Sequence, residues 1–404
     1  MSERPAPNLH RNLVAGVLEA LSLSFGQDQY ADKVIERLLR SNRSWGSRDR
    51  AFVAEHTYTM VRYWRLLWAL EGREPDLSRK SLWRLFASYW RWKGHTLPDW
   101  DVFTGLDPRP IELIEEQWPP AIRASFPDWL WTRGAEAFGA RWPDLAQVLN
   151  TPAPLVLRVN TLKCTLEQAR ERLATEGVVS EPMPDQPDGL RVDERSNVFR
   201  LESFKDGWFE VQDGGSQRIA PYLRAEPGMR VVDACAGAGG KSLHLAALLE
   251  NKGQIVSLDI EAWKLEELRK RARRAGADNI EVRPIDSAKT IKRLENSADR
   301  LLLDVPCSGT GVLKRNPDTK WKLREDRLGH IVETQTELLD RYSAMLKKGG
   351  EMVYATCSIL PEENEAAVEG FVGRNPEFRL LEMERVEPNN TGSDGFFMAR
   401  LQRL

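Results

Sequence analysis

From residue 229 onward, short apolar segments alternate with longer amphipathic ones, and this alternation leaves few folds open to the chain. Apolar segments of this length are typical of central strands that helices cover on both faces. The segments with this character are MRVVDAC, QIVSLDI, NIEVRPID, DRLLLDVP and EMVYATC. We therefore predict an α/β domain with a doubly wound parallel sheet, closed at one edge by the antiparallel strands FRLLE and GFFMARLQR.

Two further regions precede this sheet, because 404 residues exceed what one hydrophobic core usually supports. Residues 10–145 repeat apolar positions every three or four residues, as in AFVAEHTYTMVRYWRLLWAL, which indicates helices. Residues 155–215 change to extended segments around one helix, for which Thr165 is the predicted N-cap. The predicted domains are an all-helical domain at 1–145, a small α+β subdomain at 146–215 and an α/β catalytic domain at 216–404.

The composition is that of a protein from a reducing compartment. No segment approaches the roughly 18 consecutive apolar residues of a membrane span. The N-terminal residues MSERPAPNLHRN lack the apolar core of a secretory signal. The cysteines do not form a CxxC pair; they are Cys164, Cys235, Cys307 and Cys357. We expect a cytoplasmic monomer without membrane contact and without a bound metal.

The net charge of −2 means that any nucleic-acid contact must come from a local basic surface. Two stretches are rich in lysine and arginine. Residues 264–274 are interpreted as a solvated helix face, whereas residues 314–327 lie beside the candidate functional residues. Several tryptophans stand at helix-like spacings among other apolar residues, which favours core packing over base stacking. They are Trp64, Trp68, Trp83, Trp90 and Trp92.

The first strand of the α/β domain leads into a loop of small residues, DACAGAGGKS, that would let a ligand approach backbone N–H groups at a helix N-terminus. A phosphate-binding P-loop would need a glycine in place of Cys235. A dinucleotide fingerprint would need one in place of Ser242. The third interpretation is an S-adenosylmethionine site. Its predicted loop residues are Cys235, Ala236, Gly237, Ala238, Gly239, Gly240 and Lys241.

Acidic residues at the ends of the next two strands support the cofactor interpretation. Asp259 closes QIVSLDI, where it would bond the ribose hydroxyls, and Asp286 closes NIEVRPID, where it would lie beside the adenine. A helix N-cap is the alternative for either aspartate alone. The loop and the order of the strands together favour S-adenosylmethionine.

Two cysteines follow the next two strands, in the segments DVPCSGTG and YATCS. If these strands are neighbours, their backbones run about 5 Å apart, so Cys307 and Cys357 would face each other. A disulfide is disfavoured in a reducing compartment. A metal pair is possible, yet Cys235 is the one further cysteine that could join and no histidine stands near in sequence. Single cysteines are most often inert core residues, but two at paired strand ends beside a cofactor loop indicate chemistry.

Methylation of cytosine at carbon 5 is a reaction in which two such thiols would each have a role. Carbon 5 cannot attack a sulfonium methyl group until a thiolate adds to carbon 6 and turns the ring into an enamine. The addition moves charge toward N3, where a carboxyl group such as Asp304 could stabilise or protonate it. The carbon 5 proton must then leave before the first thiolate is expelled, and a second thiolate is a suitable base for that step.

Residues 155–404 resemble the RNA cytosine-5 methyltransferases of the Sun type, which include the bacterial small-subunit ribosomal RNA enzyme. The matching motifs are LRVNTLK, VQDGGSQ, DACAGAGGK, DVPCSGTGVLKRNPDTKW, YATCSILPEENE and DGFFMARL. The resemblance implies a Rossmann-like fold, S-adenosylmethionine as cofactor, Cys357 as nucleophile and Cys307 as an aid to product release. Asp304 counts among both the catalytic and the cofactor-binding residues. DNA cytosine methyltransferases instead attack with the thiol of a Pro-Cys motif. The presence of both cysteines therefore favours an RNA substrate over a DNA substrate.

The resemblance has one departure. The family loop usually reads CAAPGGK, whereas Gly237 and Ala238 replace its Ala-Pro here. Loop length and Lys241 are kept, so we expect cofactor binding with a more flexible loop. The segment DRAFVAEHTYTMVRYWRLL is similar to the helical RNA-binding domain of bacterial members, which resembles the antitermination factor NusB.

The expected partner is RNA, ribosomal RNA first and transfer RNA as the alternative. A basic track beside the active site is predicted from Arg158, Asn160, Lys163, Lys314, Arg315 and Lys320. A second class of function is an RNA-binding ribosome-assembly factor with little methyltransferase activity, and a DNA methyltransferase is the third. The intact set of Lys241, Asp304, Cys307 and Cys357 favours the enzyme.

Overall fold

The computed structural model describes residues 9–112, 118–192 and 196–404. Residues 1–8 lie outside the described residues. They make up most of the segment MSERPAPNLHRN, for which the sequence predicted no secretory signal. The chain divides into two compact units. The first combines residues 1–150 with 315–324, and the second combines 151–314 with 325–404. The division differs from the three predicted domains, because the small α+β subdomain and the α/β domain form one unit and residues 315–324 belong to the helical one.

The helices and strands of the described residues are as follows. The α-helices are α1 (Arg11–Gly26), α2 (Ala31–Ser41), α3 (Ser47–Arg62), α4 (Trp64–Glu71), α5 (Arg79–Trp92), α6 (Pro120–Arg123), α7 (Asp128–Phe138), α8 (Trp142–Leu149), α9 (Leu166–Thr175), α10 (Glu202–Lys205), α11 (Gly214–Tyr222), α12 (Gly240–Leu248), α13 (Ala262–Ala275), α14 (Ala288–Lys292), α15 (Thr319–Lys322), α16 (Glu325–Tyr342) and α17 (Glu365–Arg374). The strands are β1 (Leu155–Val159), β2 (Ser180–Met183), β3 (Gln186–Val192), β4 (Phe209–Val211), β5 (Arg230–Asp233), β6 (Gln254–Asp259), β7 (Ile280–Pro284), β8 (Ala298–Asp304), β9 (Leu346–Thr356), β10 (Phe378–Val386) and β11 (Phe396–Arg403).

The helical unit is built around an aromatic core. Trp64, Trp68, Trp83 and Trp90 are buried in one cluster, and Trp92 packs against its edge. A buried aromatic ring removes about 150–250 Å² from water, which is worth at most roughly 4–6 kcal/mol at about 25 cal/mol per Å². The prediction that these tryptophans form a core is confirmed. None of the described helices is long and apolar enough to cross a membrane.

Residues 315–324 are tied into the helical unit by polar contacts with α2 and α3. The Ala31 N–H donates to Asp318 Oδ2 at 2.8 Å, which satisfies a free N–H in the first turn of α2. The Trp321 indole N–H donates to the carbonyl of Val61 at 2.7 Å. The segment is therefore a structural part of this unit.

The predicted doubly wound sheet is confirmed in the second unit. Among the described residues, seven strands follow the order β10-β11-β9-β8-β5-β6-β7. The pairs from β9 to β7 are parallel, whereas β10 and β11 form the predicted antiparallel edge. Successive residues of β8 enter different cores: Leu301 and Leu303 pack on one face and Leu302 on the other, all fully buried. Helices cover both faces, which explains the continuous apolar character of the strands.

A smaller antiparallel sheet with the order β2-β3-β1-β4 belongs to the same unit. Helix α9 accompanies it and begins with a capping box: the Thr165 hydroxyl accepts from the Gln168 N–H, and the Gln168 side chain accepts from the Thr165 N–H. The predicted α+β character and the predicted N-cap are confirmed.

Candidate active site

The loop between β5 and α12 has a backbone that a ligand can approach. Gly237 has φ of +54°, and no atom beyond its chain neighbours lies within 4 Å of the position that a Cβ would take. Gly239 has φ of +86°, and a Cβ there would lie 2.0 Å from the Leu268 side chain. Both positions need glycine for the left-handed conformation, and Gly239 also for space. The Gly239 N–H donates to the Ala236 carbonyl at 2.9 Å, which closes a turn.

Asp259, at the end of β6, holds this loop. Its buried carboxylate accepts from the Gly237 N–H at 2.9 Å and from the Glu261 N–H at 2.8 Å. The N-cap of α13 is Glu261, so the alternative role of Asp259 as the N-cap does not apply. Asp286 lies two residues beyond the end of β7, is exposed, and accepts from the Thr290 hydroxyl at 2.9 Å.

Lys241 and Asp304 form an ion pair at the carboxyl ends of the strands. The ammonium donates to Asp304 Oδ2, with the lysine side chain 13% and the aspartate side chain 26% exposed. Burial lowers the pKa of Lys241, but the charges of Asp304, Asp233 and Cys357, in that order, more than offset this, so the pKa lies above its ordinary value. The lysine therefore stays charged, within electrostatic range of the Cys357 thiol.

A second carboxyl group lies beneath the loop. Asp233 is buried at the end of β5, where it accepts from the Ser242 hydroxyl at 2.6 Å, and Ser242 also bonds the Ser257 hydroxyl at 2.8 Å. Burial raises the pKa of Asp233 to about 7. This chain of hydrogen bonds joins β5, β6 and α12 under the candidate cofactor site.

The two cysteines meet as predicted. β8 and β9 pair in parallel with Asp304 opposite Ala355, so Cys307 and Cys357 both lie just beyond the carboxyl ends of these two strands. Their sulfur atoms are 3.2 Å apart, and both are free thiols. A disulfide would bring them to about 2.05 Å. Among the described residues no group of three or more His, Cys, Asp or Glu could hold a metal ion.

The surroundings of the Cys307 thiol affect its protonation. The hydrogen bond with Cys357 and then burial raise the pKa of the Cys307 thiol well above its ordinary value. The Cys357 backbone N–H points to the Cys307 sulfur at 3.3 Å. The Cys307 thiol is therefore stabilised in its neutral form, within hydrogen-bond distance of the Cys357 sulfur.

A buried carboxylate connects the two cysteine loops from behind. Glu363 accepts from the Ser308 N–H at 2.8 Å, from the Gln335 amide at 3.0 Å and from the Ser358 hydroxyl. Ser308 follows Cys307, and Ser358 follows Cys357. One side chain thus fixes the backbone next to both thiols.

Gly311 joins the same loops through its backbone. Its N–H donates to the Cys357 carbonyl at 2.9 Å, and its carbonyl accepts from the Gly395 N–H at 2.9 Å. A Cβ at Gly311 would lie 2.2 Å from the Gly395 oxygen. The close approach of three chain segments therefore requires glycine at this position.

Comparison with known proteins identifies the family. Residues 220–402 match the profile of the 16S rRNA methyltransferase RsmB/F, and residues 126–199 match a RsmF/B-like, ferredoxin-like domain. A Synechocystis sp. protein with the name "probable ribosomal RNA small subunit methyltransferase B" is 30% identical over 93% of this chain and 96% of its own length. The chain belongs to the RsmB/F family. Ribosomal RNA small subunit methyltransferase B from Photorhabdus laumondii is 34% identical over 69% of this chain and 66% of its own length.

A solved structure supports this assignment. A methyltransferase homolog protein from Pyrococcus horikoshii superimposes with a TM-score of 0.64 at 27% identity, over 72% of this chain and all of its own. The resemblance to Sun-type methyltransferases that the motifs predicted is thus confirmed for this RsmB/F family member, together with its Rossmann-like fold.

The predicted basic track is wrong for four of its six residues in this RsmB/F family member, because these residues are buried. Lys320 donates to Asn150 Oδ1 at 2.9 Å and lies 4.4 Å from the centre of the Phe126 ring. Lys314 donates to the carbonyl of Ser393 at 3.1 Å. A polar group used inside the core cannot contact phosphate. The four buried residues are Arg158, Asn160, Lys314 and Lys320.

Two residues of the predicted track keep some access to solvent. Lys163 is exposed and Arg315 is partly exposed. Asn160, close to Lys163 in sequence, is instead buried. Its amide donates to the carbonyls of Gly207 and Ala275, both at 2.8 Å, and so links the segment before β4 to the end of α13. LRVNTLK is therefore mainly a packing motif with one exposed lysine.

Several site residues could not be singled out from the sequence. Asp233 and Glu363 lie in two of the motifs that carry the family resemblance, DACAGAGGK and YATCSILPEENE, but neither residue was assigned a role from the sequence alone. Arg271 donates to the Ala238 carbonyl of the β5–α12 loop, but in the sequence it is one of many charged residues on α13. Its role depends on a contact that only the folded chain provides.

Proposed function

We propose that this protein transfers a methyl group from S-adenosylmethionine to carbon 5 of a cytosine in RNA. The observation that carries the proposal is the pair of free thiols 3.2 Å apart at the ends of neighbouring strands. Small-subunit ribosomal RNA is the first candidate substrate because the RsmB relatives are named for it, and transfer RNA is the second. We further propose that the protein acts as a cytoplasmic monomer, with a NusB-like helical region that contacts RNA.

Cys357 starts the reaction. Its thiolate adds to carbon 6 of the cytosine, and the electron pair of the 5,6 double bond moves toward N3. Asp304 passes a proton to N3, and the Lys241 ammonium that donates a hydrogen bond to Asp304 is the source of this proton. S-adenosylmethionine supplies an electrophilic methyl group on a sulfonium. Carbon 5 of the enamine attacks this methyl group, so that a carbon–carbon bond forms and a carbon–sulfur bond breaks.

Cys307 completes the reaction. Its contact with Cys357 raises the pKa of Cys307, and this influence weakens once the Cys357 sulfur is bonded to carbon 6. Cys307 then releases its own proton to solvent, and the resulting thiolate accepts the proton of carbon 5. The electron pair left behind restores the 5,6 double bond and expels the Cys357 thiolate.

The residues around the β5–α12 loop fit S-adenosylmethionine. The loop from Cys235 to Lys241 offers open backbone at Gly237, and the Asp259 carboxylate lies against it. We propose that Asp259 bonds the ribose hydroxyls and that Asp286 lies by the adenine. Asp304 borders the same site through its ion pair with Lys241.

Replacing Asp259 with alanine is expected to weaken S-adenosylmethionine binding roughly ten- to a hundredfold. The change removes a charge-assisted hydrogen bond to the ligand, worth about 1.5–3 kcal/mol. It also frees the Gly237 N–H. Titration calorimetry measures the effect, and Asp278→Ala, which removes an exposed carboxylate, is the control. Equal affinities of the Asp259 variant and the wild type would show that the carboxylate does not bind the cofactor.

Removing the charge of Lys163 is expected to flatten the salt dependence of RNA binding. The slope of log K against log salt is negative, and each lost phosphate contact reduces its magnitude by about 0.7–0.9. Lys163→Gln tests this exposed lysine, and Lys320→Met serves as the control because Lys320 is buried. Binding measured from low to high salt should separate the two variants. An unchanged slope for Lys163→Gln would place the RNA elsewhere.

Bisulfite sequencing of total RNA from a deletion strain tests the proposed function as a whole. Loss of one or more 5-methylcytosines, restored by the wild-type gene, is the expected result. The competing function is an RNA-binding assembly factor with little activity. A deletion strain that retains every 5-methylcytosine would favour that function, whereas the intact set of Lys241, Asp304, Cys307 and Cys357 favours the enzyme.

A further inference from the structure

Two arginines outside the β5–α12 loop hold its carbonyl groups. The Arg271 guanidinium, on α13, donates to the carbonyl of Ala238 at 2.7 Å. The Arg158 guanidinium, on β1, donates to the carbonyl of Gly240 at 2.7 Å. The two acceptors flank Gly239, which closes the turn of the loop. The loop is therefore restrained on both sides of its tightest point.

Both arginines are anchored at one position of the small sheet. Arg158 on β1 stands directly opposite Glu210 on β4 in the antiparallel register. Glu210 accepts from Arg271 at 3.0 Å and also pairs with Arg274, and its side chain is 6% exposed. Arg158 bonds the Gln212 side chain as well. The small sheet thus reaches the loop directly through Arg158 and indirectly through Glu210 and Arg271.

These contacts are buried charge-assisted hydrogen bonds. Burial lowers the pKa of Arg158 to about 10, so it still carries its charge near neutral pH. The Arg271 side chain is 18% exposed. Hydrogen bonds from a charged donor are among the stronger polar contacts in proteins, and low exposure strengthens them further. The arrangement is too well shielded for the exposed phosphate contact that the sequence predicted for Arg158.

We propose that Arg158 and Arg271 are positioning residues for the cofactor, through which the small sheet sets the conformation of the S-adenosylmethionine loop. The carbonyl and N–H of a trans peptide point in opposite directions. Fixing the carbonyls of Ala238 and Gly240 therefore fixes the N–H groups of Gly239 and Lys241. This deepens the proposed function and rests on it, since S-adenosylmethionine is the ligand concerned.

The loop sequence explains why an external clamp is useful. Gly237 adopts a left-handed conformation with open space around it, and it is followed by Ala238 rather than the proline usual in the family. Glycine loses more conformational freedom on ordering than other residues. Guanidinium contacts from β1 and α13 restrict the loop from outside, where the loop sequence itself imposes less restraint.

The test compares three arginine variants in the full-length protein. Arg271→Met and Arg158→Met are each expected to weaken S-adenosylmethionine binding at least about tenfold in calorimetry. Arg273→Met is the matched control, because Arg273 lies on the same helix and is exposed. With RNA as substrate, KM for S-adenosylmethionine should rise in the first two variants, while kcat at saturating cofactor stays near the wild-type value. The salt dependence of RNA binding should remain unchanged.

The outcomes separate the clamp from the proposed function. Wild-type protein that binds no S-adenosylmethionine would overturn both. Wild-type protein that binds it, together with Arg271→Met and Arg158→Met of equal affinity, would overturn the clamp alone. A flatter salt dependence for Arg158→Met would return Arg158 to an RNA-binding role. Should a methionine variant fail to fold, Arg271→Lys replaces it: one ammonium cannot reproduce the planar fork that bonds Ala238 and Glu210 together, so partial loss of affinity is expected.

Discussion

Cys357→Ala is expected to abolish methyl transfer, whereas Cys307→Ala is expected to methylate the RNA once and remain covalently bound to it. Without the Cys357 thiolate no enamine forms, and the methyl group has no acceptor. Loss of a nucleophile commonly costs about 10⁴- to 10⁶-fold in kcat. Without Cys307 the attack and the transfer still occur, but the carbon 5 proton stays and the bond to Cys357 persists.

The geometry supports this difference between the thiols. The sulfur atoms are 3.2 Å apart, so both can face one pyrimidine ring. Cys357 directly follows β9, and Cys307 lies three residues after β8 with its pKa raised by Cys357 and by burial. The target base has to leave its stack to reach them, which enzymes of this kind achieve by turning the nucleotide out.

Denaturing gel electrophoresis with labelled RNA and S-adenosylmethionine distinguishes the two roles. A slowly migrating protein–RNA band is expected for Cys307→Ala and none for Cys357→Ala. Cys164→Ala is the control, since Cys164 is a buried thiol of the small α+β region whose pKa burial raises to about 11. The reverse pattern would make Cys307 the nucleophile, as in enzymes that attack with a Pro-Cys thiol.

Much of the α/β architecture could be predicted because its signal is local. Each central strand is apolar on both faces, as Leu301, Leu302 and Leu303 show by entering two different cores. Parallel strands bring their carboxyl ends to one edge, so the positions of Asp259, Asp304, Cys307 and Cys357 followed from the strand order. The close approach of the Cys307 and Cys357 sulfur atoms, 3.2 Å apart, was predictable in this way.

The basic track could not be predicted correctly because burial depends on distant partners. The acceptor of Lys320 is Asn150, which is 170 residues away in sequence, and Lys314 bonds carbonyls near the C-terminus. Lysine is rarely buried, so composition alone favours an exposed position. The same limit applies to Arg158, whose acceptor Gly240 becomes a neighbour only after the small sheet folds onto the α/β domain.

Glu363 is the residue for which the structure predicts the largest effect outside the thiols. Its carboxylate accepts from the Ser308 N–H, the Gln335 amide and the Ser358 hydroxyl, all of them buried. Glu363→Ala leaves these donors without that acceptor, at roughly 1–3 kcal/mol for each donor left unpaired. We therefore expect a large loss of stability in thermal denaturation and a loss of activity.

Glu363→Gln separates positioning from folding, because it keeps the shape of the side chain. Its amide oxygen can still accept from the Ser308 N–H and the Gln335 amide, but its NH2 group then faces the Ser358 hydroxyl, which has to turn from donor to acceptor. The negative charge of the acceptor is also lost, so the backbone beside Cys357 should shift. We expect kcat to fall at least about tenfold, since small misplacements of reacting groups are costly, while S-adenosylmethionine affinity in calorimetry stays unchanged. Glu369→Gln, an exposed residue on α17, is the control. A wild-type kcat for Glu363→Gln would show that the carboxylate stabilises the fold without aligning the thiols, and a parallel loss of cofactor affinity would show that its influence extends to the β5–α12 loop.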